Sequence, residues 1–250
     1  MNVPTRPRVL ITGASSGLGR QMAIEFATRG YDLALSARRR EVVEELAEQL
    51  RKDYGCTVYT AALDVTDGAA VEHAIQEAAE ALGGLDRIVA NAGIGHSGPI
   101  GQIPFKQVKA TIDTNVIGLM ATVDAAVRLF REQGRGHIVG ISSVAGFRGL
   151  PGGGAYGASK AAVTTYFQAL AAEQHGKPIR TTLLSPGYID TPINQSVPSR
   201  PFCIPVEKGG RILVDLIEAE VRTACVPRWP WGLLARLLAR LPTAMIAKMA

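Results

Sequence analysis

Short apolar runs alternate with longer segments of helical periodicity from residue 8 to about residue 226. This alternation predicts βαβ units around a parallel sheet, because a strand covered on both faces is apolar throughout, whereas a surface helix is apolar on one side. Seven strands are predicted, namely Arg8 to Thr12, Asp32 to Ser36, Thr57 to Leu63, Arg87 to Asn91, His137 to Ser142, Arg180 to Ser185 and Thr223 to Val226. We therefore expect an α/β fold, a Rossmann-type doubly wound sheet of about seven parallel strands with helices on both faces.

Helices are predicted between these strands. Their expected bounds are Gly17 to Arg29, Glu41 to Asp53, Asp67 to Leu82, roughly Pro104 to Gln133, Ala155 to His175 and about Pro205 to Glu220. The first ends at Gly30 and the third at Gly83, as helices often do. Because no linker or repeat divides the chain, we expect residues 1–226 to form one domain and residues 227–250 to form a tail.

The composition is that of one ordinary globular domain, with 250 residues and 47% hydrophobic residues. It excludes collagen, disulfide scaffolds and disordered chains. Acidic and basic residues balance over residues 1–220, so the excess of five positive charges lies in residues 221–250. A balanced body argues against a nucleic-acid-binding protein, which would spread its cations over a groove or face.

The three cysteines, Cys56, Cys203 and Cys225, are widely spaced and no histidines cluster with them. The pattern therefore suggests neither a disulfide framework nor a metal site. The apolar run near the N-terminus is too short for a secretory signal, and no run approaches the ~20 residues that span a bilayer. We expect a cytoplasmic protein.

A glycine-rich turn follows the first predicted strand in VLITGASSGLGR, with Gly13, Gly17 and Gly19. Glycines allow a tight turn and a close approach to a pyrophosphate, and the following helix offers unpaired N–H groups. The pattern T-G-x-x-x-G-x-G favours dinucleotide binding. The alternative is a tight connection that holds no ligand.

The second predicted strand ends in LALSARRRE, and no acidic residue occurs between Leu33 and Arg40. In dinucleotide folds, a carboxylate here binds the ribose hydroxyls of NAD, whereas arginine accommodates the 2′-phosphate of NADP. Arg38 therefore favours NADP(H), since a guanidinium can form two parallel hydrogen bonds to a phosphate. The alternative is that these arginines only solvate a surface helix.

Tyr156 and Lys160 are four residues apart in a predicted helix, so both lie on one face. A tyrosine, with its reference pKa of about 10, is a poor base near neutrality unless a nearby ammonium stabilises its phenolate. The pair is suited to proton transfer beside a nicotinamide. A solvated lysine beside a half-buried tyrosine is the alternative.

These residues together resemble the short-chain dehydrogenase/reductase family. The shared motifs are TGASSGLG at 12–19, NAG at 91–93, Asn115 in TNVIG, Ser142 with Ser143, YxxxK at 156–160 and PGYIDT at 186–191. Their order and spacing match the family over about residues 8 to 226, with the T-G-x-x-x-G-x-G turn of its single-domain branch.

The resemblance implies four catalytic residues. Tyr156 would be the general acid/base, and Lys160 would hold the nicotinamide ribose and lower the tyrosine pKa. Ser143 would hydrogen-bond the substrate oxygen, with Ser142 the less suitable choice. Asn115 would anchor a water that links Lys160 to solvent.

The resemblance also implies a cofactor site without a metal. Its residues would be Gly13, Ser15, Ser16, Gly17, Leu18, Gly19, Arg38, Asp64, Val65, Asn91, Ala92, Gly93, Tyr156, Lys160, Pro186, Gly187, Ile189 and Thr191. Asp64 would meet the adenine amino group, and residues 91–93 would stack below the adenosine. Residues 186–191 would contact the nicotinamide, whereas Thr12 would support the turn.

The resemblance implies a substrate lid at 191–207 and further pocket walls at His96, Ser97 and 147–151. Apart from Arg148 and Arg200, these stretches contain no Arg or Lys, so we expect an apolar pocket. The expected function is NADP(H)-dependent interconversion of a carbonyl and an alcohol on a small lipophilic substrate. The alternatives are a 3-ketoacyl-carrier-protein reductase and a non-catalytic NADP-binding sensor or scaffold.

In the tail, four leucines follow the i, i+3, i+4, i+7 pattern, namely Leu234, Leu237, Leu238 and Leu241. Trp231 precedes them, and Arg236 and Arg240 stack on the other side. A basic amphipathic helix can lie on a membrane surface. We favour the alternative that it covers an apolar groove on its own subunit or on a partner of an expected homo-oligomer, a dimer or tetramer.

Overall fold

A computed structural model describes residues 6–195, 197 and 199–248. It contains one sheet with the strands β1 (Arg8–Thr12), β2 (Asp32–Ala37), β3 (Val58–Ala62), β4 (Arg87–Ala90), β5 (Gly136–Ile141), β6 (Ile179–Pro186) and β7 (Thr223–Val226). The strand order is β3-β2-β1-β4-β5-β6-β7, and every neighbouring pair is parallel. The predicted fold class is confirmed, and each strand bound lies within one residue of its prediction.

Helices cover both faces of the sheet. They are α1 (Gly17–Thr28), α2 (Arg40–Tyr54), α3 (Gly68–Leu82), α4 (Phe105–Ile112), α5 (Gly118–Gln133), α6 (Gly154–Glu173), α7 (Val206–Glu218), α8 (Arg228–Leu238) and α9 (Thr243–Ala247). One buried cluster joins the sheet to α1, α2 and α7, and the other joins it to α3, α5 and α6. The strand order reverses between β1 and β4, which is where open α/β sheets form a crevice at their carboxyl ends.

The segment predicted as one helix from Pro104 to Gln133 is two helices. A π-helical turn, Asp113–Ile117, separates α4 from α5. Asn115 in this turn is fully buried, and its side chain bonds both backbone groups of Ile94. A π turn inserts an extra residue into a helix and so redirects its side chains. We attribute the interruption to the bonds of Asn115 with Ile94, which this redirection allows.

The tail folds onto its own subunit as two helices. In α8, Trp231 and Ala235 are buried, whereas Leu237 is 49% exposed, so the buried side is not centred on the predicted leucine row. The physical reason is the indole of Trp231, which packs over the backbone of Gly187. No helix within the described residues is both long and apolar enough to cross a bilayer.

Aromatic rings fill the space beside two glycines of β5, the strand at the centre of the second cluster. A Cβ atom on Gly140 would overlap the ring of Phe167, and one on Gly136 would overlap the ring of Phe130. Both phenylalanines are buried. These glycines allow α5 and α6 to lie close to the sheet, because the rings occupy the volume that side chains would take.

We predict that Gly140→Ala lowers the free energy of unfolding by about 1–3 kcal/mol, because the added methyl overpacks the core against Phe167. The measurement is equilibrium denaturation with urea. Gly149→Ala is the matched control, since a Cβ there meets no atom within 4 Å. Equal stability of the two variants would contradict the packing argument.

Candidate active site

The carboxyl ends of four neighbouring strands bring the predicted site residues together. The glycine turn follows β1, Asn91 follows β4, Ser143 follows β5 and Gly187 follows β6. These strands are adjacent in the sheet. Motifs that are far apart in sequence therefore share one edge of the sheet, where parallel sheets bind ligands.

The glycine turn is closed to side chains. Gly13 and Gly17 have φ angles of +72° and +55°, in the region that favours glycine. A Cβ on Gly13 would lie 2.8 Å from the Cα of Ala92, and one on Gly19 would overlap the carbonyl of Gly13. This glycine turn forms a cradle that fits the pyrophosphate of a dinucleotide. Glycines have no side chain, so the backbone can approach the phosphates closely.

The start of α1 leaves its first amides available. Ser16 precedes this helix and forms no side-chain capping bond, and its first turn contains no acidic residue. The N-terminus of a helix carries partial positive charge and unpaired N–H groups. Ser15, Ser16 and Leu18, which the sequence predicts as cofactor contacts, all lie in this turn and are half-buried.

Thr12 and Asn91 join the ends of β1 and β4. The Thr12 hydroxyl accepts bonds from the backbone amides of Asn91 and Ala92, each at 3.1 Å. The Asn91 side chain donates to the carbonyl of Thr12 at 2.9 Å. Thr12 thus supports the turn, as the sequence predicts, and the Asn91 side chain holds the floor of the site.

The end of β2 presents two arginines near the turn. Ala37 is buried and Arg38 is exposed. Arg39, which the sequence analysis leaves out of the site, donates to the hydroxyl of Ser15 at 3.0 Å. Arg39 comes close to Ser15 because the chain turns back at the start of α2. No local sequence pattern indicates this turn.

Asp64 and Val65 follow β3. The Asp64 carboxylate accepts bonds from the amide and hydroxyl of Thr66, at 3.0 and 2.9 Å. These bonds, chiefly the one from the amide, lower the pKa of Asp64, and Arg38 adds to the effect. Asp64 is therefore ionised at neutral pH and lies near Arg38, whereas Val65 is buried.

Tyr156 and Lys160 lie on one face of α6, and the Lys160 Nζ atom is 5.7 Å from the centre of the Tyr156 ring. Nζ donates to the carbonyl of Ile141 at 2.9 Å. Burial lowers the pKa of Lys160 to about 8. Gly93 adjoins this amine, because a Cβ on Gly93 would lie 3.6 Å from Nζ.

Burial raises the pKa of Tyr156 above its ordinary value, a hydrogen bond with Ser143 opposes the shift, and nearby Tyr188 adds to it. Burial outweighs the Ser143 bond in this shift, and the Lys160 ammonium donates to the Ile141 carbonyl. The phenol therefore keeps its proton at neutral pH. The lowering of the tyrosine pKa by Lys160 that the family resemblance implies stays a prediction.

The two serines after β5 have different surroundings. Ser142 forms hydrogen bonds with the carbonyl of Lys160 and the hydroxyl of Thr164, both at 2.9 Å. Ser143 accepts a bond from the amide of Ala145 and donates to the carbonyl of Pro186 at 3.4 Å, and it lies close enough to Tyr156 to affect the pKa of the phenol. Ser142 is thus committed to fixing α6 on the sheet, and Ser143 faces the phenol.

Asn115 holds the loop after β4 against α6. Its side-chain carbonyl accepts from the amide of Ile94 at 2.8 Å, and its amide donates to Ser159 at 3.0 Å. The Ser159 hydroxyl in turn donates to the carbonyl of Tyr156 at 2.7 Å. These bonds connect Asn115 to α6 at the backbone of Tyr156.

The segment after β6 closes over the turn and the phenol. Ile189 is buried, and Thr191 lies beside Gly17, since a Cβ on Gly17 would be 3.5 Å from the Cβ of Thr191. Ile193 and the Tyr156 ring both lie beside Gly95, because a Cβ on Gly95 would be 3.2 Å from the Ile193 side chain and 3.4 Å from the ring. Ile193 therefore adds apolar surface near Tyr156.

The tail supplies a wall that the sequence analysis did not assign to the site. Trp231 is 4% exposed, and its indole lies over Gly187. Its ring centre is 5.8 Å from that of Tyr188 and 6.2 Å from that of Phe202, both edge-on. Aromatic pairs of this kind favour a fixed loop geometry.

The two arginines of the predicted pocket stretches both form bonds, although the buried Nε of Arg148 has no partner among the described residues. Arg148 donates to the carbonyl of Leu241 at 3.2 Å and lies within 3.4 Å of the Thr243 hydroxyl. Arg200 pairs with Asp190 at 2.7 Å. His96 pairs with the hydroxyl of Thr111, and the described residues contain no cluster of His, Cys, Asp and Glu that could hold a metal.

The sequence model of the short chain dehydrogenase family matches residues 7–201. The chain is 42% identical over 248 residues to an uncharacterised oxidoreductase of Mycobacterium tuberculosis, with 98% of each protein covered. Among solved structures, it is similar to a short-chain dehydrogenase/reductase of Burkholderia phymatum in complex with NAD, with 25% identity, a TM-score of 0.84 and coverage of 95% and 94%. It is also similar to an alcohol dehydrogenase of Thermococcus sibiricus complexed with 5-hydroxy-NADP, with 28% identity, a TM-score of 0.79 and coverage of 88% and 95%.

The matched residues include the glycine turn, Ser143, Tyr156 and Lys160. The structural similarity extends over the sheet and the helices on both of its faces. The chain therefore belongs to the short-chain dehydrogenase/reductase family, a family of oxidoreductases that bind a nicotinamide cofactor.

Proposed function

We propose that this protein is an NADP(H)-dependent oxidoreductase that interconverts a carbonyl and an alcohol on a small lipophilic substrate. The observation that carries the proposal is the convergence of Ser143, Tyr156 and Lys160 beside the glycine cradle. The bound cofactor would supply or accept a hydride. The chain's own groups would bind the substrate oxygen and move the proton.

Reduction of a carbonyl requires a proton for the developing alkoxide. Tyr156 would donate this proton from its hydroxyl, because its raised pKa keeps the phenol protonated at neutral pH. Ser143 would hold the same substrate oxygen by hydrogen bonding. In the oxidative direction the phenolate is required, so the reaction is expected to be faster at alkaline pH.

We predict that Tyr156→Phe lowers kcat for carbonyl reduction by about 10²–10⁴, the usual contribution of general acid catalysis. The aromatic ring is retained, so the affinity for NADPH, measured by fluorescence titration, is expected to stay within about twofold of the wild type. A variant that reduces carbonyls at the wild-type rate would overturn the assignment. Wild-type protein that binds NADPH and reduces none of a panel of ketones and aldehydes would instead support a binding-only role.

The preference for NADP(H) rests on charge at the end of β2. Ala37 is buried at the position where a carboxylate would repel a 2′-phosphate, and Arg38 is exposed beside it. Arg38 would bind the phosphate through its guanidinium. The solved relatives include one complexed with NAD and one with 5-hydroxy-NADP. The proposed preference for NADP(H) therefore depends on Ala37 and Arg38.

We predict that Arg38→Gln raises the KM for NADPH about tenfold, the loss expected for one charged hydrogen bond, and leaves the KM for NADH unchanged. Steady-state kinetics with both cofactors measures the two values. Arg40→Gln is the control, because it makes the same charge change at a side chain that pairs with Glu44 at 2.7 Å. A wild-type enzyme that uses NADH more efficiently than NADPH would contradict the proposal.

The residues that form the walls of the site support the proposal of a lipophilic substrate. Ile193 and Tyr188 lie near Tyr156, while Arg148 and Arg200 are engaged with the tail and with Asp190. Apart from Lys160, which adjoins the phenol, the described walls offer mainly apolar and aromatic surface. Such a pocket favours a ketone or secondary alcohol with an apolar body over a carboxylate or phosphate ester.

Trp231 is expected to act as a positioning residue for this pocket, since it holds Gly187 and Tyr188 in place. We predict that Trp231→Ala raises the KM for the carbonyl substrate about tenfold or more, because the loop loses its packing, and lowers kcat less. Trp229→Ala is the matched control, since Trp229 lies two residues earlier in the tail and is 75% exposed. If circular dichroism shows that both variants are folded and their kinetics are equal, Trp231 does not have this positioning role.

A further inference from the structure

A solvent-open cavity of about 530 Å³ lies at the edge of the sheet opposite to Tyr156, where the strands begin. Five arginines line it, Arg6, Arg8, Arg87, Arg135 and Arg180, together with the acidic Asp86 and Glu220. These groups leave an excess of three positive charges while the lining histidine, His137, is neutral. Although acidic and basic residues balance over residues 1–220, positive charge is therefore concentrated at this edge of the sheet.

The strand register creates this concentration. Arg87 of β4 pairs with His137 of β5, and His137 pairs with Arg180 of β6. Residues in one row of a parallel sheet project to the same face. The row thus sets two guanidinium groups on either side of one imidazole, on the face that α1 and α7 cover.

The two carboxylates in the cavity already form ion pairs with arginines. Asp86 lies 3.2 Å from Arg8 and 3.6 Å from Arg135, and Glu220 lies 3.7 Å from Arg180. Among the described residues, Arg87 forms no ion pair; its guanidinium instead lies 5.5 Å from the ring centre of Tyr31. Its positive charge is therefore available to a ligand.

Two buried polar atoms of this row lack a hydrogen-bond partner in the described part of the chain, the Nε of Arg87 and the Nδ1 of His137. His137 is only 2% exposed. Buried polar groups are nearly always paired with protein or ordered water, so the Nε of Arg87 can donate to water or to a ligand in the cavity.

The bonds around His137 define its tautomer. Thr182 donates its hydroxyl to the carbonyl of Val221 at 2.6 Å, so it accepts from Nε2 of His137, 2.9 Å away. Nε2 therefore carries the proton and Nδ1 the lone pair. Burial, with a contribution from Arg87, lowers the pKa of His137 to about 3, so the imidazole adds no positive charge at neutral pH.

We propose that this arginine cavity binds the phosphate group of a small phosphorylated molecule, at a site separate from the active site. Guanidinium groups match the oxygens of a phosphate in charge and in planar geometry. The volume is in the range of small-molecule sites and exceeds what one phosphate fills, so the ligand carries an organic part or a second phosphate. The site uses none of the residues proposed for catalysis.

The test is titration of the full-length protein with inorganic phosphate by calorimetry, in the presence of saturating dinucleotide so that the cofactor site is filled. Saturable binding is expected, and Arg180→Gln is expected to weaken it about tenfold. The Arg180 side chain is 64% exposed, so this variant is expected to fold. Arg211→Gln on the exposed side of α7 is the matched control and should leave binding unchanged.

The ring signals of His137 in an NMR titration report the location independently, and they are expected to shift with the same dissociation constant. Glycerol 3-phosphate and pyrophosphate, titrated alongside, distinguish a phosphorylated metabolite from a polyphosphate by which one binds more tightly than phosphate. Three results would overturn the proposal: an effect equal to that of sodium chloride at the same ionic strength, equal binding by the Arg180 and Arg211 variants, or unshifted His137 signals. Because enzyme activity is not a readout, a failed substrate screen leaves this test unaffected.

Discussion

The close approach of backbone segments at the carboxyl ends of β1 and β4 is the constraint on which the rest of the site depends. A Cβ on Gly13 would lie within 2.8 Å of Ala92, so the two segments meet only because a glycine stands there. The hydroxyl of Thr12 ties them together through the amides of Asn91 and Ala92. This junction creates both the pyrophosphate cradle and the floor beside Lys160.

Buried polar bonds hold α6, the helix that carries Tyr156 and Lys160, against the sheet. Ser142 binds the backbone of Lys160, and Asn115 reaches the backbone of Tyr156 through Ser159. Each bond satisfies a buried polar group, which would otherwise destabilise the fold. Stability and orientation are therefore supplied by the same contacts.

The charge distribution separates the two edges of the sheet. The active-site edge combines Ser143, Tyr156 and Lys160 with apolar walls, and its arginines at 148 and 200 are engaged by other parts of the chain. The opposite edge gathers arginines from several strands around His137. Parallel strands allow this difference, because every strand presents its first residues at one edge and its last residues at the other.

The sequence by itself determined the strands, their alternation with helices and the family, because those features depend on local periodicity and on motifs of fixed spacing. It also indicated Ser143, Tyr156 and Lys160, through short motifs that resemble those of the family. Only the tertiary structure decided the contacts of Arg39 with Ser15, of Trp231 with Gly187, and the row of Arg87, His137 and Arg180. Each of these depends on strand register or on how a distant segment folds back, and residues that meet across such distances carry no local signal of one another. The raised pKa of Tyr156 has the same origin, since burial is a property of the folded chain.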